Sequence, residues 1–235
     1  MLSEPRTISL LCELIHIPMK HTSEKLRDVY SRVCRSCGYE NFIRTPAGAR
    51  IERQEREGNG FSHLNFTGDR IQFTEDHVGM SVEQFAQKVS AVVCEAVEVL
   101  RIPVIVAQQA TVRVTSSPNT LKSSAEFLAR RMFRIGGEDL EVLGRPASVF
   151  GLRMVFPPTK EQPHGFNVRV EPYLRDPRSF YIENVGTIKV PIQTGSPEPV
   201  EQNIYQVSQF IVEKIIPFLS RYDRRDGYDK RDVEE

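Results

Sequence analysis

The stretch Phe61-Ser-His-Leu-Asn-Phe-Thr-Gly-Asp-Arg-Ile-Gln-Phe73 decides how the fold is read. Leu64 and Phe66 alternate with polar neighbours, and Ile71 and Phe73 do the same beyond the turn at Thr67-Gly68-Asp69. Two period-two runs joined by a short glycine-containing turn make a β-hairpin with one apolar face. His63, with Phe61 and Asn65, falls on the opposite face, where a solvated histidine needs no special role.

Outward from the hairpin the pattern changes to a helical period. Ser81-Val-Glu-Gln84 is a capping box, and Val82, Phe85, Ala86, Val89, Val93, Ala96 and Leu100 form a continuous stripe that Pro103 ends. Val104 to Thr115 is then rich in β-formers. On the other side, Ile8, Leu11, Cys12 and Ile15 fit a helical stripe, but the apolar density of Thr7 to Ile17, the stop at Pro18 and the strong helix that follows at once favour a buried strand. A helix follows, with Ser23 as N-cap, Leu26, Val29, Tyr30, Val33 and Cys37 on its stripe, and Gly38 as its left-handed stop. Tyr39 to Gln54 is a strand pair or one bent strand broken near Pro46-Ala-Gly48. The order strand–helix–strands–helix–strand predicts an α+β fold whose first half is a ferredoxin-like split βαβ with a mostly antiparallel sheet.

Ser116-Ser-Pro-Asn119 reads as the boundary between two halves, residues 1–117 and 118–222. The second half reads helix–three strands–helix. A second capping box, Ser123 with Glu126, opens a short helix to Ile135. Strands follow at 148–156, 166–173 and 179–188, then a Thr194–Pro199 linker and a helix from about Val200 that Pro217 kinks or ends. These elements extend the first sheet or form a partner layer. Residues 223–235 alternate charge with almost no apolar content and read as a mobile tail.

Composition narrows the function classes. The chain has 235 residues, 40% of them hydrophobic, with 31 basic and 31 acidic side chains. A protein built to hold a nucleic-acid backbone usually carries a basic excess, so the balance argues against that role for the chain as a whole. The apolar run near the N-terminus is about half of what a bilayer span needs; a single basic residue, Arg6, precedes it, Glu13 interrupts it, and no small-residue cleavage pattern follows. The expectation is therefore a cytoplasmic chain in which Cys12, Cys34, Cys37 and Cys94 stay reduced.

Motifs that carry chemistry are sparse. Cys34-Arg-Ser-Cys37 sits in the last turn of its helix, at the negative end, where a thiolate is disfavoured. It is a weak candidate for half of a metal site, with no second Cys-x-x-Cys to complete it. Glu75-Asp76-His77, read as leading into a helix, could orient an imidazole as general base, or simply complement the helix dipole. Phosphate loops, nucleophile elbows and His-Glu-x-x-His are absent, and no cofactor is expected.

Arginines are more suggestive. Arg113, Arg153 and Arg169 interrupt apolar strands, and Arg175 and Arg178 flank Pro177. On an open sheet such side chains can bind anions or stack on bases, although the aromatic run of RNA-reading sheets is missing. The competing reading pairs them across strands with acids such as Glu171 and Glu183.

Leu64 to Phe73 leading into Ser81 to Phe85, Ala110-Thr-Val-Arg-Val114, Phe150-Gly-Leu-Arg-Met154, the strand 166–173 and a terminal helix ending near Leu219 together span roughly residues 60 to 220. In these phrases the chain resembles a sporadically distributed family of uncharacterised prokaryotic proteins. The resemblance implies a cytoplasmic protein and carries over no catalytic residues. The leading expectation is a non-enzymatic binding or interaction protein, a homo-oligomer or one with a protein partner. Nucleic-acid or nucleotide binding through the strand arginines, and an enzyme with a dispersed site around His77, are the alternatives.

Overall fold

A computed structural model of the chain describes residues 2–54, 60–121, 123–145, 147, 149–189, 191–193 and 197–223. The strands are β1 (Arg6–His16), β2 (Asn41–Thr45), β3 (Gly48–Gln54), β4 (Phe61–Phe66), β5 (Arg70–Asp76), β6 (Val104–Ser116), β7 (Leu152–Phe156), β8 (His164–Pro172), β9 (Phe180–Ile188) and β10 (Ile192–Gln193). They join one antiparallel sheet in the order β2-β3-β4-β5-β1-β6-β9-β8-β7, with β10 added on β6. The helices are α1 (Ser23–Cys37), α2 (Val82–Leu100), α3 (Ser124–Glu126), α4 (Gly137–Glu141), α5 (Glu198–Phe210) and α6 (Ile216–Ser220). The protein is thus a mixed α and antiparallel-β fold.

Alternation along the strands sets one face against the helices. Leu10, Cys12 and Leu14 of β1 are buried, as are Ile71 and Phe73 of β5, Leu64 and Phe66 of β4, Ala110 and Val112 of β6, and Phe180 and Ile182 of β9. The stripes of α1 (Leu26, Val29, Val33), α2 (Phe85, Val89, Val93) and α5 (Val200, Ile204, Val207) join them in one core. Each fully buried aliphatic or aromatic side chain contributes about 1.5–3 kcal/mol relative to exposure. Gly186 lets α5 approach β9 closely, because a Cβ there would meet the Val207 side chain.

The core carries polar ties as well. Asn203 on α5 donates to Gln108 Oε1 (2.7 Å) and its Oδ1 accepts from His164 Nε2 (3.0 Å), while Gln108 donates to the Val200 carbonyl (3.0 Å). Asn184 donates to the Val207 carbonyl (2.9 Å). These bonds fix the register of α5 on strands from both halves of the chain. The halves share one sheet, because β6 pairs with β9 from Gln108↔Ile188 to Ser116↔Phe180.

Local expectations held in the hairpin, where Leu64 faces Phe73 and Phe66 faces Ile71, and in the α2 capping box. Tyr39 to Gln54 resolves into the β2–β3 hairpin. Several boundaries differ. Thr22, not Ser23, caps α1, since its hydroxyl is the one that reaches the Lys25 amide (3.4 Å). Ser123 caps α3 as expected, but the helix widens to π geometry at Phe127–Phe133. The strand expected from 148 begins at Leu152. The last helix starts at Glu198 and passes through a π segment, Ile211–Ile215, before Pro217, whose missing N–H already breaks the regular ladder.

The expected tail lies outside the described residues except for Asp223, which is 2% exposed. Its carboxylate accepts from the amides of Asn119 and Thr120 (both 3.0 Å), so this residue belongs to the folded body. Thr194 to Ser196 of the expected linker lie outside the described residues. Among the described residues no helix is long and apolar enough to cross a membrane.

Candidate functional site

On the sheet face opposite α1, α2 and α5, side chains form rows across the strands. One row is Asp76–Ser9–Arg113–Glu183–Arg169–Arg153, from β5 through β1, β6, β9 and β8 to β7. Next to it runs a row of shorter side chains, Thr74–Leu11–Thr111–Val185, and beyond that Gln72–Glu13–Gln109–Thr187. The short row between two longer polar rows leaves a hollow of about 210 Å³ around Leu11, Thr74 and Thr111.

The structure therefore brings Arg113, Arg153 and Arg169 into one row, which the sequence could not specify. It also engages them. Arg113 Nε donates to Glu183 Oε2 (2.7 Å), and the Tyr181 hydroxyl donates to the same oxygen (3.0 Å). Arg169 lies 3.4 Å from the other Glu183 oxygen and 3.9 Å from Glu171, with its guanidinium 5.1 Å above the Tyr181 ring. Arg153 sits directly opposite Arg169 and donates to Asn167 (3.1 Å). Two arginines face to face repel, and the shared carboxylate of Glu183 with Glu171 offsets that. On the same face Arg70 bonds Glu13 (2.7 Å) and Arg50 bonds Glu52 (2.8 Å). Arg175 and Arg178 lie instead on the turn between β8 and β9. Arg175 donates to His77 Nε2 (3.1 Å), and the Arg178 amide donates to Asp176 (3.1 Å).

Glu75-Asp76-His77 does not form a cluster. These residues end β5, and alternation sends Glu75 into the helix side and Asp76 to the open face. Glu75 is 2% exposed, and its Oε1 accepts from the Ser62 hydroxyl (2.7 Å) and Lys88 Nζ (2.6 Å). His77 follows in a left-handed turn at φ 53° with its amide on the Ile8 carbonyl. Since a guanidinium only donates, His77 Nε2 is the ring's acceptor. The expectation that both acids complement a helix start is corrected here: α2 begins only at Val82.

Cys34 donates to the Ser31 carbonyl (3.6 Å) near the end of α1. Burial pushes the Cys37 thiol up, against the pull of the Ser36 hydroxyl. A redox pair needs the reverse shift. Among the described residues no group of three His, Cys, Asp or Glu is gathered as a metal would need.

At the far edge of the sheet, β7 pairs with β8 alone among the described residues, which place no strand on its outer side. Val155 is 64% exposed, and Phe156 and Val149 are more than a third exposed. Phe156 stands edge-on to Phe210 (5.0 Å), which stacks on Phe166 (4.3 Å). Sequence reading marked this strand but had no signal for its place at the edge.

No protein-family model matches the chain, and no curated protein matches it. Among solved structures, a phage SAM lyase in complex with S-methyl-5'-thioadenosine is similar over 46% of this chain and 81% of that chain. The identity is 16% and the TM-score 0.25, too low to bear on fold or activity.

Proposed function

We propose that this chain is a non-enzymatic interaction protein that associates with a second copy of itself by pairing β7 with its counterpart. The carrying observation is the terminal strand. A sheet edge that ends in an apolar strand, with Val155 and Phe156 exposed and Arg153 as its single charge, is a template for another strand. Natural edges are usually blunted by several charges, a proline or a covering element. A symmetric antiparallel pairing of the five residues centres on Met154 and sets Arg153 opposite Val155, so no like charges meet.

The alternatives draw less support. Arg113 and Arg169 are already neutralised by Glu183 and Glu171, and a paired guanidinium offers little uncompensated charge to a phosphate backbone. His77 is engaged by Arg175, while Glu75 is taken up by Ser62 and Lys88 on the helix side of the sheet.

The ferredoxin-like reading of the first half is supported by the order β4-β5-β1-β6, with α2 joining β5 to β6 across β1. In that reading the β2–β3 hairpin is an addition at the edge. Four unpaired cysteines suit a reducing compartment, and hence the cytoplasm. The likeness to the sporadically distributed prokaryotic family rests on the sequence phrases alone.

The test is the mass in solution by light scattering, together with amide exchange of β7 across a dilution series. A dimer whose β7 amides lose protection on dilution is expected. A monomer at every accessible concentration would end the proposal.

A further inference from the structure

The hollow around Leu11, Thr74 and Thr111 is built differently from the arginine row beside it. These three side chains form its floor, the row Gln72–Glu13–Gln109 forms one wall, and His63 and Asn65 close the β4 end. All of these positions lie on β4, β5, β1 and β6, strands paired on both sides, so the backbone beneath the hollow is held rigidly. About 210 Å³ is open above the floor.

Its polar groups are both unused and reachable. The side-chain amides of Asn65 and Gln109 and the hydroxyls of Thr74 and Thr111 make no hydrogen bond among the described residues, and their polar atoms keep accessible surface. Gln72 donates to Glu13 Oε1 (3.0 Å) and leaves its own carbonyl oxygen open. Amides and hydroxyls between them offer donors and acceptors alike.

Charge in the hollow is balanced. Its carboxylate, Glu13, is held by Arg70 (2.7 Å). Burial, and after it the charge of Arg50, pushes the His63 imidazole down, so the ring is uncharged at neutral pH. A phosphate would find no cation on the lining, and an ammonium would find a carboxylate that is already paired. A nucleobase would need an aromatic platform. Here the floor is aliphatic, and the His63 ring is stacked on Phe61 (5.4 Å between centroids, 4° between planes).

We infer that this hollow binds a small neutral polyol, the size of one monosaccharide ring, whose hydroxyls exchange hydrogen bonds with Asn65, Gln72, Gln109 and Glu13 while its C–H face lies on Leu11 and the threonine methyls. A hydroxyl donates and accepts at once, so it satisfies amides, hydroxyls and a carboxylate together without bringing a charge into a balanced site. The hollow is also smaller than the cavities of about 300 Å³ and above that hold drug-sized ligands.

NMR titration of the full chain decides the matter, following the side-chain amide resonances of Asn65, Gln72 and Gln109. The probes are D-glucose, D-galactose, D-mannose and myo-inositol at up to tens of millimolar, with adenosine and inorganic phosphate in parallel. At least one neutral polyol should shift these resonances saturably, and adenosine and phosphate should not. Gln109→Ala should weaken binding about threefold to tenfold, the worth of one hydrogen bond. Leu11→Phe, which fills the hollow from its floor, should abolish it, and Arg153→Ala on β7 should leave it unchanged. No saturable shift with any of the four polyols would overturn the inference, as would tighter binding of adenosine or phosphate. Full affinity in Leu11→Phe, or equal losses in Gln109→Ala and Arg153→Ala, would do the same.

Discussion

Replacing Val155 tests the edge pairing and its register together. With β7 paired about Met154, residue 155 of each copy lies opposite Arg153 of the other, and symmetry makes two such pairs. Val155→Glu places a carboxylate against each arginine, and Val155→Lys places a second cation there. An opposed charge pair on a sheet is worth about 0.2–1 kcal/mol, so two pairs change the association by roughly 0.4–2 kcal/mol. That is about a 2- to 30-fold change in the dimer dissociation constant. Val155→Glu should tighten the dimer and Val155→Lys should loosen it by similar factors, and both effects should shrink as salt is added. Val155 is 64% exposed in the isolated chain, so neither substitution should alter the thermal midpoint of a monomeric sample appreciably. Analytical ultracentrifugation over a concentration series measures the constants. If both variants shift the dimer in the same direction, the Met154-centred register is wrong. If neither shifts it, β7 is not the interface.

Three further outcomes follow from the core. Lys88→Met strips the cation from Glu75, whose second oxygen is already buried without a partner. Urea unfolding should register a loss of roughly 3–5 kcal/mol, with much of it restored by adding Glu75→Gln. Gly186→Ala drives a methyl into the Val207 side chain of α5, at a cost of about 1–3 kcal/mol that Val207→Ala should partly relieve in a double-mutant cycle. Burial, eased only in part by Gln108, pushes the Cys12 thiol up to about 12. Timed alkylation at mildly alkaline pH, read by mass spectrometry, should therefore label exposed Cys94 in the folded chain while Cys12 reacts only after denaturation; comparable rates would contradict the core packing.

What the sequence determined by itself is what short range decides. The period-two runs of Phe61 to Phe73, the α2 stripe behind Ser81 and the stop at Gly38 are local patterns, since side-chain alternation, capping and left-handed turns involve residues only a few positions apart. They were enough for the fold class and for most elements. Even so, reading Glu75 as a helix start instead of the end of β5 misplaced one carboxylate, because strand ends depend on the partner strand and not on the residues alone. Tertiary structure decided which segments became neighbours. Glu183 serves Arg113 and Arg169 because β9 settles between β6 and β8. Asp223 leaves the expected tail to cap Asn119 and Thr120. β7 becomes an edge of the sheet. Each of these depends on pairings between segments distant along the chain, selected by burial of the shared core, and no local pattern encodes such distances.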